Sequence, residues 1–315
     1  MNDKKKDIVV LYGGDGFERE VSIKSGTAVI ESLAECSEYN IIPFIINSMN
    51  EIEKLKSMKD VFVFIILHGS WGEDGRIQKE LELMKIPFSG SGSNSCLLAM
   101  DKGISKEIFI HSGIKAPKGF IFCQNEETLD FSINNAVNYI GLPCVVKPCS
   151  KGSTVGVTIV NEMKDLNNAF ESAFKFENKV LLEEYIEGKE ITVTVFGNKE
   201  PKALPIIEIA PKSGFYGYKD KYTPGATSYI CPAQLDGNIS SIIKEEAVKA
   251  HISLGCKVYS RVDMRLSEEN KPYILEVNTV PGMTETSLVP KAAAAAGISF
   301  SKFLSQVIEM SYEIS

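Results

Sequence analysis

Four polar side chains late in the sequence have a spacing that suits phosphate chemistry. Two runs of alternating apolar and polar residues, 259–266 and 273–279, flank a polar segment, and this pattern predicts a β-hairpin. With the turn between residues 269 and 270, Arg261 faces Asn278 and Asp263 faces Glu276, all on one face of the hairpin. The other face is then apolar and consists of Val262, Met264, Leu275 and Val277.

Oxygen donors on such a face suit a hard cation such as Mg²⁺. The guanidinium of Arg261 adds a rigid fork for an anionic group. The alternative is a solvated sheet face with cross-strand charge pairs. Because Arg261 accompanies the carboxylates and the segment 281–287 follows at once, the sequence favours a Mg²⁺ site that handles a phosphate.

The segment 150–156, rich in Ser, Lys and Gly, has the composition of a phosphate-binding loop. It joins strands predicted at 144–148 and 157–160, and its backbone N–H groups could fold over phosphates. A plain hairpin turn is the alternative. The loop is not a Walker motif, because the only Gly-Lys pair, Gly188-Lys189, is followed by Glu190.

The acidic residues Glu183, Glu184 and Glu190 lie in a predicted strand–turn–strand segment, 180–193. Carboxylates do not suit phosphates, but they accept hydrogen bonds from an exocyclic amine or from ribose hydroxyls. We therefore expect these residues to meet the neutral end of a nucleotide.

Two more polar segments follow strands predicted at 8–12 and 61–67. Ligands in open parallel sheets collect at the carboxyl ends of strands, where Glu18 and His68 lie. Taken alone, Glu18 is more typical of a helix cap than of an ammonium ligand. His68 is equally consistent with a binding site and with a structural role.

The segment 212–233 has few apolar residues and no clear period, which is typical of a lid or a binding loop. Lys219, Lys221 and Tyr222 are its reactive side chains.

Strands and helices must position these groups. Strands predicted at 8–12, 41–46 and 61–67 alternate with helices, including one at 76–84, which indicates a parallel, doubly wound sheet. One helix is predicted from Leu97 to Phe109, and a new unit begins at Pro117. Further helices are predicted at 239–254, 291–296 and 300–312.

Composition narrows the class of protein. The 315 residues are 44% hydrophobic and 24% charged, with a net charge of −7, which argues against a nucleic-acid binder. Seven cysteines without a C-x-x-C pair suggest reduced thiols and a cytoplasmic location rather than disulfides or structural zinc. No signal peptide and no membrane span are predicted.

Taken together, the motifs closely resemble those of the D-alanine–D-alanine ligases of the ATP-grasp superfamily, in order and over essentially the whole chain. The matching segments are 13–14, 18–22, 67–69, 72–75, 90–92, 100–102, 146–148, 152–153, 155–156, 221–222, 261–263, 275–279, 281–284 and 287–290.

The resemblance implies an α/β and α+β protein with the ATP-grasp fold and an N-terminal parallel-sheet (pre-ATP-grasp) domain. The expected division is an N-terminal domain at 1–101, a central subdomain at 102–187 and a C-terminal subdomain at 188–315, with the lid loop at 212–233. It also implies a cytoplasmic homodimer in peptidoglycan precursor synthesis, without nucleic-acid or membrane partners.

The implied reaction has two steps. The carboxylate of one D-alanine attacks the γ-phosphate of ATP, and the amine of a second D-alanine then attacks the resulting acyl phosphate. Two Mg²⁺ or Mn²⁺ ions would be bound by Asp263, Glu276 and Asn278.

The resemblance also assigns the remaining roles. ATP would be bound by Lys102, Lys147, Gly152, Ser153, Glu183, Glu184, Ile186, Glu190 and Lys221. Among these, Glu183 and backbone groups of Glu184 and Ile186 would hold adenine, and Glu190 would bind the ribose. The catalytic set would be Glu18, Ser153, Tyr222, Arg261, Gly282 and Ser287. The substrate-binding set would be Glu18, His68, Lys221, Arg261, Gly282, Ser287 and Leu288. Within these sets, Ser153 and Tyr222 would bind Glu18, and Arg261 with the Gly282 N–H would form an oxyanion hole.

The sequence departs from the family pattern at Gly16, where a small hydroxyl residue is usual, and varies at Asp15, Cys149 and Thr154. Ligases that use D-serine as the second substrate are one alternative, and those that use D-lactate are a less favoured one; the lactate-making relatives lack a tyrosine at the position of Tyr222. Another ATP-grasp ligase and a non-catalytic paralogue are more distant alternatives.

Overall fold

The computed structural model describes residues 5–124, 129–212, 217, 223, 225–284 and 286–314, and only the backbone of 129–131. Lys221 and Tyr222 lie outside the described residues, as does most of the segment 213–224.

A parallel sheet begins the chain, as the sequence predicts. Its strands are β1 (Lys6–Gly13), β2 (Tyr39–Ile46) and β3 (Val61–Ile65), in the order β2-β1-β3. The connecting helices are α1 (Arg19–Ala34) and a 3₁₀ helix (Met49–Ser57), and α2 (Arg76–Met84) follows β3. The fully buried run Ile8–Leu11 explains the central place of β1, since a parallel strand is covered on both faces.

The predicted helix from Leu97 to Phe109 is two helices, α3 (Ser93–Met100) and α4 (Lys102–His111). Asp101 separates them because its extended backbone ends α3, while its carboxylate accepts hydrogen bonds from the Gly103 and Ile104 N–H groups at the start of α4. This cap places Lys102 in the first turn of α4.

The central sheet is antiparallel and has the order β4-β7-β5-β6. Its strands are β4 (Gly119–Cys123), β5 (Cys144–Pro148), β6 (Thr158–Val160) and β7 (Lys179–Glu184). Helices α5 (Leu129–Ile140) and α6 (Leu166–Phe174), with a 3₁₀ turn at Met163–Asp165, accompany it.

The last sheet has the order β11-β10-β8-β12-β13, with β9 added beside β8. Its strands are β8 (Gly188–Phe196), β9 (Lys202–Ala203), β10 (Ile207–Pro211), β11 (Thr227–Ile230), β12 (Tyr259–Ser267) and β13 (Pro272–Asn278). Strand β11 lies inside the segment predicted as an irregular loop, so that expectation was wrong at 227–230, where four residues pair with β10. The helices are α7 (Gly237–Ser253), α8 (Leu288–Ala295) and α9 (Phe300–Tyr312).

The β12–β13 hairpin has the predicted register at its functional end. Arg261 pairs with Asn278, and Asp263 pairs with Glu276. A bulge follows Asp263, so Met264 pairs with Ile274. The prediction that Leu275 lies on the apolar face was therefore wrong. Ile274 is buried on that face, and Leu275 lines the cavity described below.

Helix α9 packs against the N-terminal sheet. Phe303, Leu304, Val307 and Ile308 share one core with residues of β1 and β3. Among the described residues, no helix combines the length and the apolar character needed to cross a membrane.

Candidate active site

One cavity of about 640 Å³ lies between the central and the last sheet. Apart from Lys221 and Tyr222, all the predicted site residues line it, so sites predicted hundreds of residues apart form a single chamber. A volume of this size suits a nucleotide-sized ligand. The lining members are Glu18, His68, Lys102, Lys147, Gly152, Ser153, Glu183, Glu184, Ile186, Glu190, Arg261, Asp263, Glu276, Asn278, Gly282, Ser287 and Leu288.

We call Arg261, Asp263, Glu276 and Asn278 the hairpin face. The guanidinium of Arg261 donates two hydrogen bonds to Asp263, from Nε to Oδ1 at 2.9 Å and from Nη2 to Oδ2 at 2.8 Å. Asn278 Nδ2 donates to Asp263 Oδ2 at 2.9 Å, and Thr192 donates to Oδ1 at 2.6 Å. Both oxygens of Asp263 are thus oriented by neighbours on β8, β12 and β13.

Glu276 forms an ion pair with Lys102, with 2.9 Å between Oε2 and Nζ. Lys102 also donates to the Lys151 carbonyl at 2.9 Å and so connects the hairpin face to the phosphate loop. Burial opposes the charge on Lys102, but the Glu276 carboxylate outweighs it and raises the pKa of the ammonium.

The hairpin face has the oxygen donors that a hard cation requires. Two carboxylates and an amide converge there, although no group of three or more His, Cys, Asp or Glu in the described part of the chain is arranged to hold a metal. Each carboxylate is already bonded to a cationic side chain, Asp263 to Arg261 and Glu276 to Lys102. The donor set fits Mg²⁺ if these cations can exchange their carboxylates for other anions.

The loop at 150–156 reaches across to the first glycine turn. Ser153 and Thr154 both have left-handed backbones, with φ of 52° and 61°. Such angles are uncommon for residues other than glycine, above all for β-branched Thr154, and they must be held by surrounding contacts. One such contact is the hydrogen bond from Ser153 Oγ to Glu18 Oε1.

Glu18 does not cap α1, although capping was favoured from the residue alone. Its side chain makes no capping hydrogen bond and instead turns into the cavity, towards Gly69 and Gly152. A Cβ at Gly69 would collide with Glu18 Oε2, and the Gly69 backbone is left-handed with φ +68°. Glycine at 69 therefore makes room for this carboxylate.

The side chain of His68 is 4% exposed and lines the same cavity as Glu18. Its Nδ1 lies 3.1 Å from the Val280 carbonyl oxygen, which can only accept, so Nδ1 bears the proton. Nε2 lies 3.3 Å from Ser25 Oγ. Glu73, which the sequence analysis missed, lines the same wall, 3.8 Å from His68 and bonded to the Gly69 N–H at 3.1 Å.

Gly282, Ser287 and Leu288 form the end of the cavity beside α8. Ser287 Oγ accepts from the Thr284 N–H at 3.0 Å and lies 2.7 Å from Thr284 Oγ1. The Ser287 side chain makes no capping hydrogen bond to α8, so it does not occupy the N–H groups of Leu288 and Val289.

Lys147 and Glu183 also line the cavity, and Lys106 pairs with Glu183 from outside it. We call the three the base-end trio, after the nucleotide base that Glu183 is expected to meet. Glu183 Oε1 is paired with Lys147 and Oε2 with Lys106, the latter at 2.8 Å, and the carboxylate is 2% exposed. Burial alone would raise the pKa of the Glu183 carboxyl, but the two ammonium groups outweigh it and lower that pKa. The sequence analysis missed Lys106 because a lysine on a helix is usually solvated.

Cys149, next to the phosphate loop, is fully buried. Burial, reinforced by Asp101, raises the pKa of its thiol to about 12. The thiol is therefore protonated at neutral pH and poorly nucleophilic.

Comparison with known proteins gives one consistent result. Family models described as D-ala D-ala ligase N-terminus and D-ala D-ala ligase C-terminus match residues 47–91 and 108–309. The chain is 42% identical over 309 residues to the D-alanine--D-alanine ligase of Desulforamulus reducens, covering 97% of this chain and 98% of that one. It is 40% identical to the Clostridium beijerinckii ligase of the same name, covering 98% and 99%.

Solved structures of similar fold point to the same family. A Bacillus anthracis D-alanine--D-alanine ligase complexed with ATP has a TM-score of 0.86 and 37% identity, with 98% of each chain covered. The VanG D-Ala:D-Ser ligase of Enterococcus faecalis has a TM-score of 0.85 and 32% identity, with 98% of this chain and 100% of that one covered.

Proposed function

The chain belongs to the D-alanine–D-alanine ligase family, and on that premise we propose that it joins two D-alanine molecules with ATP as co-substrate. ATP becomes ADP and phosphate, and the product is D-alanyl-D-alanine. The observation that supports this best is the single cavity in which an ammonium-binding carboxylate, phosphate-binding lysines and an oxygen-donor face meet.

In the first step, Glu18 holds the ammonium group of one D-alanine, and the carboxylate of that molecule attacks the γ-phosphorus of ATP. Lys102 and Lys147 balance the phosphate charge, and ADP leaves. Their position at the cavity wall, beside the loop at 150–156, supports this role. Charge on the acyl oxygen is stabilised by Arg261 and the Gly282 N–H, and loss of one such donor typically costs about 10²–10³ in rate.

Asp263, Glu276 and Asn278 would hold two Mg²⁺ or Mn²⁺ ions. Such ions neutralise charge on the transferred phosphoryl group when bound. The ion pairs of the hairpin face suggest what the protein does: Arg261 and Lys102 would release the carboxylates and turn to the acyl oxygen and the phosphates. One set of charges would then serve both arrangements.

In the second step, the amine of the second D-alanine attacks the acyl carbon, phosphate leaves with the bonding electrons, and the amine loses a proton. Ser287, Leu288 and the start of α8 would orient the carboxylate of that molecule, with help from Lys221. Tyr222 would join Ser153 in holding Glu18. Exclusion of water matters because an acyl phosphate hydrolyses readily.

The same proposal includes the domain division, the oligomeric state, the cellular location and the biological role. The domain division at 1–101, 102–187 and 188–315 is supported by the three sheets, although Phe109 of α4 packs in the core of the last sheet. A homodimer, a cytoplasmic location and a role in cell-wall precursor synthesis are proposed from family membership.

The test is phosphate release from ATP and Mg²⁺ by the purified protein, with products identified by mass. D-alanine alone should support turnover and yield the dipeptide, whereas L-alanine should not. If the protein binds ATP but releases no phosphate with any of these substrates, the proposal is contradicted.

D-serine as second substrate is the alternative that the likeness to the D-Ala:D-Ser ligase keeps open. One additional hydroxyl is weakly rejected by a small pocket. Equimolar D-alanine and D-serine separate the two: mainly D-alanyl-D-alanine supports the proposal, and mainly D-alanyl-D-serine supports the alternative.

A further inference from the structure

Arg265 lines the cavity but has no role in the function proposed above. It lies on β12 two residues after Asp263, so it shares the cavity side of the strand with the hairpin face. On the neighbouring strand β8, its cross-strand partner is Glu190.

The guanidinium of Arg265 binds the chain segment that connects the central sheet to the last sheet. Nε donates to the Ile186 carbonyl at 3.0 Å, and Nη2 donates to the Gly188 carbonyl at 2.8 Å. Nη2 also lies 3.3 Å from Tyr185 Oη, and the guanidinium carbon is 5.4 Å from the centre of that ring. A planar fork of donors suits two diverging carbonyls better than an ammonium group does.

The same guanidinium orients Glu190. Arg265 Nη1 lies 3.7 Å from Glu190 Oε2, and both side chains are largely buried. One arginine therefore contacts the backbone at 186 and the carboxylate at 190, the groups proposed to meet the base and the ribose.

A glycine makes this arrangement possible. Gly188 has a left-handed backbone with φ +131°, and a Cβ there would collide with the Leu266 carbonyl. Because no side chain intervenes, the connecting segment lies directly against β12. That approach brings the Gly188 carbonyl within reach of Arg265.

We propose that Arg265 is a positioning residue for the nucleotide, which fixes the segment 185–188 and the Glu190 carboxylate before ATP binds and thereby sets the preference for a ribose hydroxyl. Ordering a segment costs conformational free energy at every residue that becomes fixed. Since Arg265 orders this one within the protein, less of that cost falls on nucleotide binding. The proposal rests on the proposed function for the assignment of Glu190 to the ribose.

The experiment compares wild type, Arg265→Met and Arg265→Lys. The Kd of a non-hydrolysable ATP analogue and of its 2′-deoxy counterpart is measured without D-alanine, and kcat and KM are then measured with ATP. For Arg265→Met we expect the Kd and the ATP KM to rise about 10–100-fold, the range for loss of charge-assisted hydrogen bonds. The kcat and the D-alanine KM should change less than about threefold.

The decisive readout is discrimination between the two analogues. Wild type should bind the ribose form more tightly, and Arg265→Met should lose most of that preference because Glu190 loses its ion pair with Arg265. Arg265→Lys should lie between them. Lys189→Met is the matched control, because Lys189 is exposed beside the same segment and pairs with Glu208 outside the cavity.

Equal weakening for both analogues, or an unchanged Kd, would overturn the role of Arg265. If Arg265→Met does not fold, Arg265→Lys decides, since it keeps the charge and loses the fork. The binding assay needs no turnover, so it tests Arg265 even if wild type fails to ligate D-alanine. That failure would count against the proposed function alone.

Discussion

The two ends of the cavity neutralise carboxylates in different ways. At the base-end trio, Glu183 is almost fully buried and both oxygens are bonded to lysines. On the hairpin face, the side chains of Asp263 and Glu276 keep 14% and 23% of their exposure, and each is paired with a cation proposed to have a second partner in catalysis.

This difference explains how one site can be both rigid and reactive. A buried pair is costly to break, because the charge left behind has no water to replace its partner. A partly exposed carboxylate can exchange partners at lower cost, since solvent screens its charge. The buried pair of Glu183 and Lys106 is therefore suited to fixed recognition, and the hairpin face to charges that change partners during the reaction.

The largest expected effect comes from opening the base end. Lys106→Met should lower the free energy of unfolding by about 3–5 kcal/mol, because it leaves Glu183 with one partner in a buried site. Urea unfolding measures the loss. Lys179→Met is the matched control: Lys179 is 32% exposed and Asp101 15%, and their 2.6 Å pair should contribute at most about 1 kcal/mol. If both variants lose the same free energy of unfolding, burial does not determine what these ion pairs contribute.

The hairpin face should respond in rate rather than in stability. Glu276→Gln should reduce turnover about 10²–10³-fold, because it removes a carboxylate proposed to bind metal. Phosphate release at saturating ATP and a thermal melt give the two readouts. Glu208→Gln, which alters an ion pair outside the cavity, should leave turnover unchanged. An active Glu276→Gln enzyme would rule out the metal assignment.

Acid should lower the free energy of unfolding in two different pH ranges, one set by His251 and one by Glu183. His251, behind the hairpin face and 2.8 Å from Ser260 Oγ, has its pKa lowered by burial to about 4, from an ordinary 6.5. The unfolded chain therefore takes up this proton before the folded chain does. The free energy of unfolding should fall by up to about 3 kcal/mol as the pH drops from 6.5 to 4.

At the base end, the pKa of Glu183 is lowered, so its contribution persists above about 4.5 and is lost only as the pH falls further. Urea unfolding as a function of pH separates the two ranges. His251→Gln should flatten the curve between pH 6.5 and 4 and leave the fall below 4.5. An unchanged curve would show that His251 is not the source of the first loss.

The smallest expected effect on the free energy of unfolding comes from a substitution outside both the base-end trio and the hairpin face. Gly16 does not have a left-handed backbone, and a Cβ there would come no closer than 4.0 Å to Ser70 Oγ. Gly16→Ala should therefore raise the free energy of unfolding by about 0.4–1 kcal/mol, by restricting the unfolded chain. Gly75→Ala is the contrasting control and should destabilise, since its φ is +87° and its Cβ would collide with the Ser93 carbonyl. Destabilisation by Gly16→Ala would show that the first glycine turn needs its present flexibility.

Sequence reasoning succeeded where a short-range pattern determines the geometry. Alternation and the position of a turn were sufficient to pair Asp263 with Glu276. The bulge after Asp263 could not be foreseen, because one additional residue leaves the same apolar composition, and so Leu275 was assigned to the wrong face. Asp101 was missed as a helix boundary because the apolar spacing continues across it.

The missed site residues share a different cause. Lys106 and Arg265 are long cations, which are usually solvated, and burial depends on contacts from distant parts of the chain. A signal was nevertheless present for Arg265, because alternation places it on the same side as Asp263. For Lys106 the decisive fact is the proximity of Glu183, 77 positions away, which periodicity does not show.

The packing of α9 on the first sheet has a consequence for synthesis on the ribosome. Ile8 and Phe64 emerge early, whereas Phe303 and Val307 of the same core emerge more than 200 positions later. Part of one face of the early sheet, beyond what α1 covers, thus remains exposed while that stretch is translated. A nascent chain in this condition exposes apolar surface and is open to aggregation. Chaperone protection during translation should therefore matter more for this protein than its stability alone suggests.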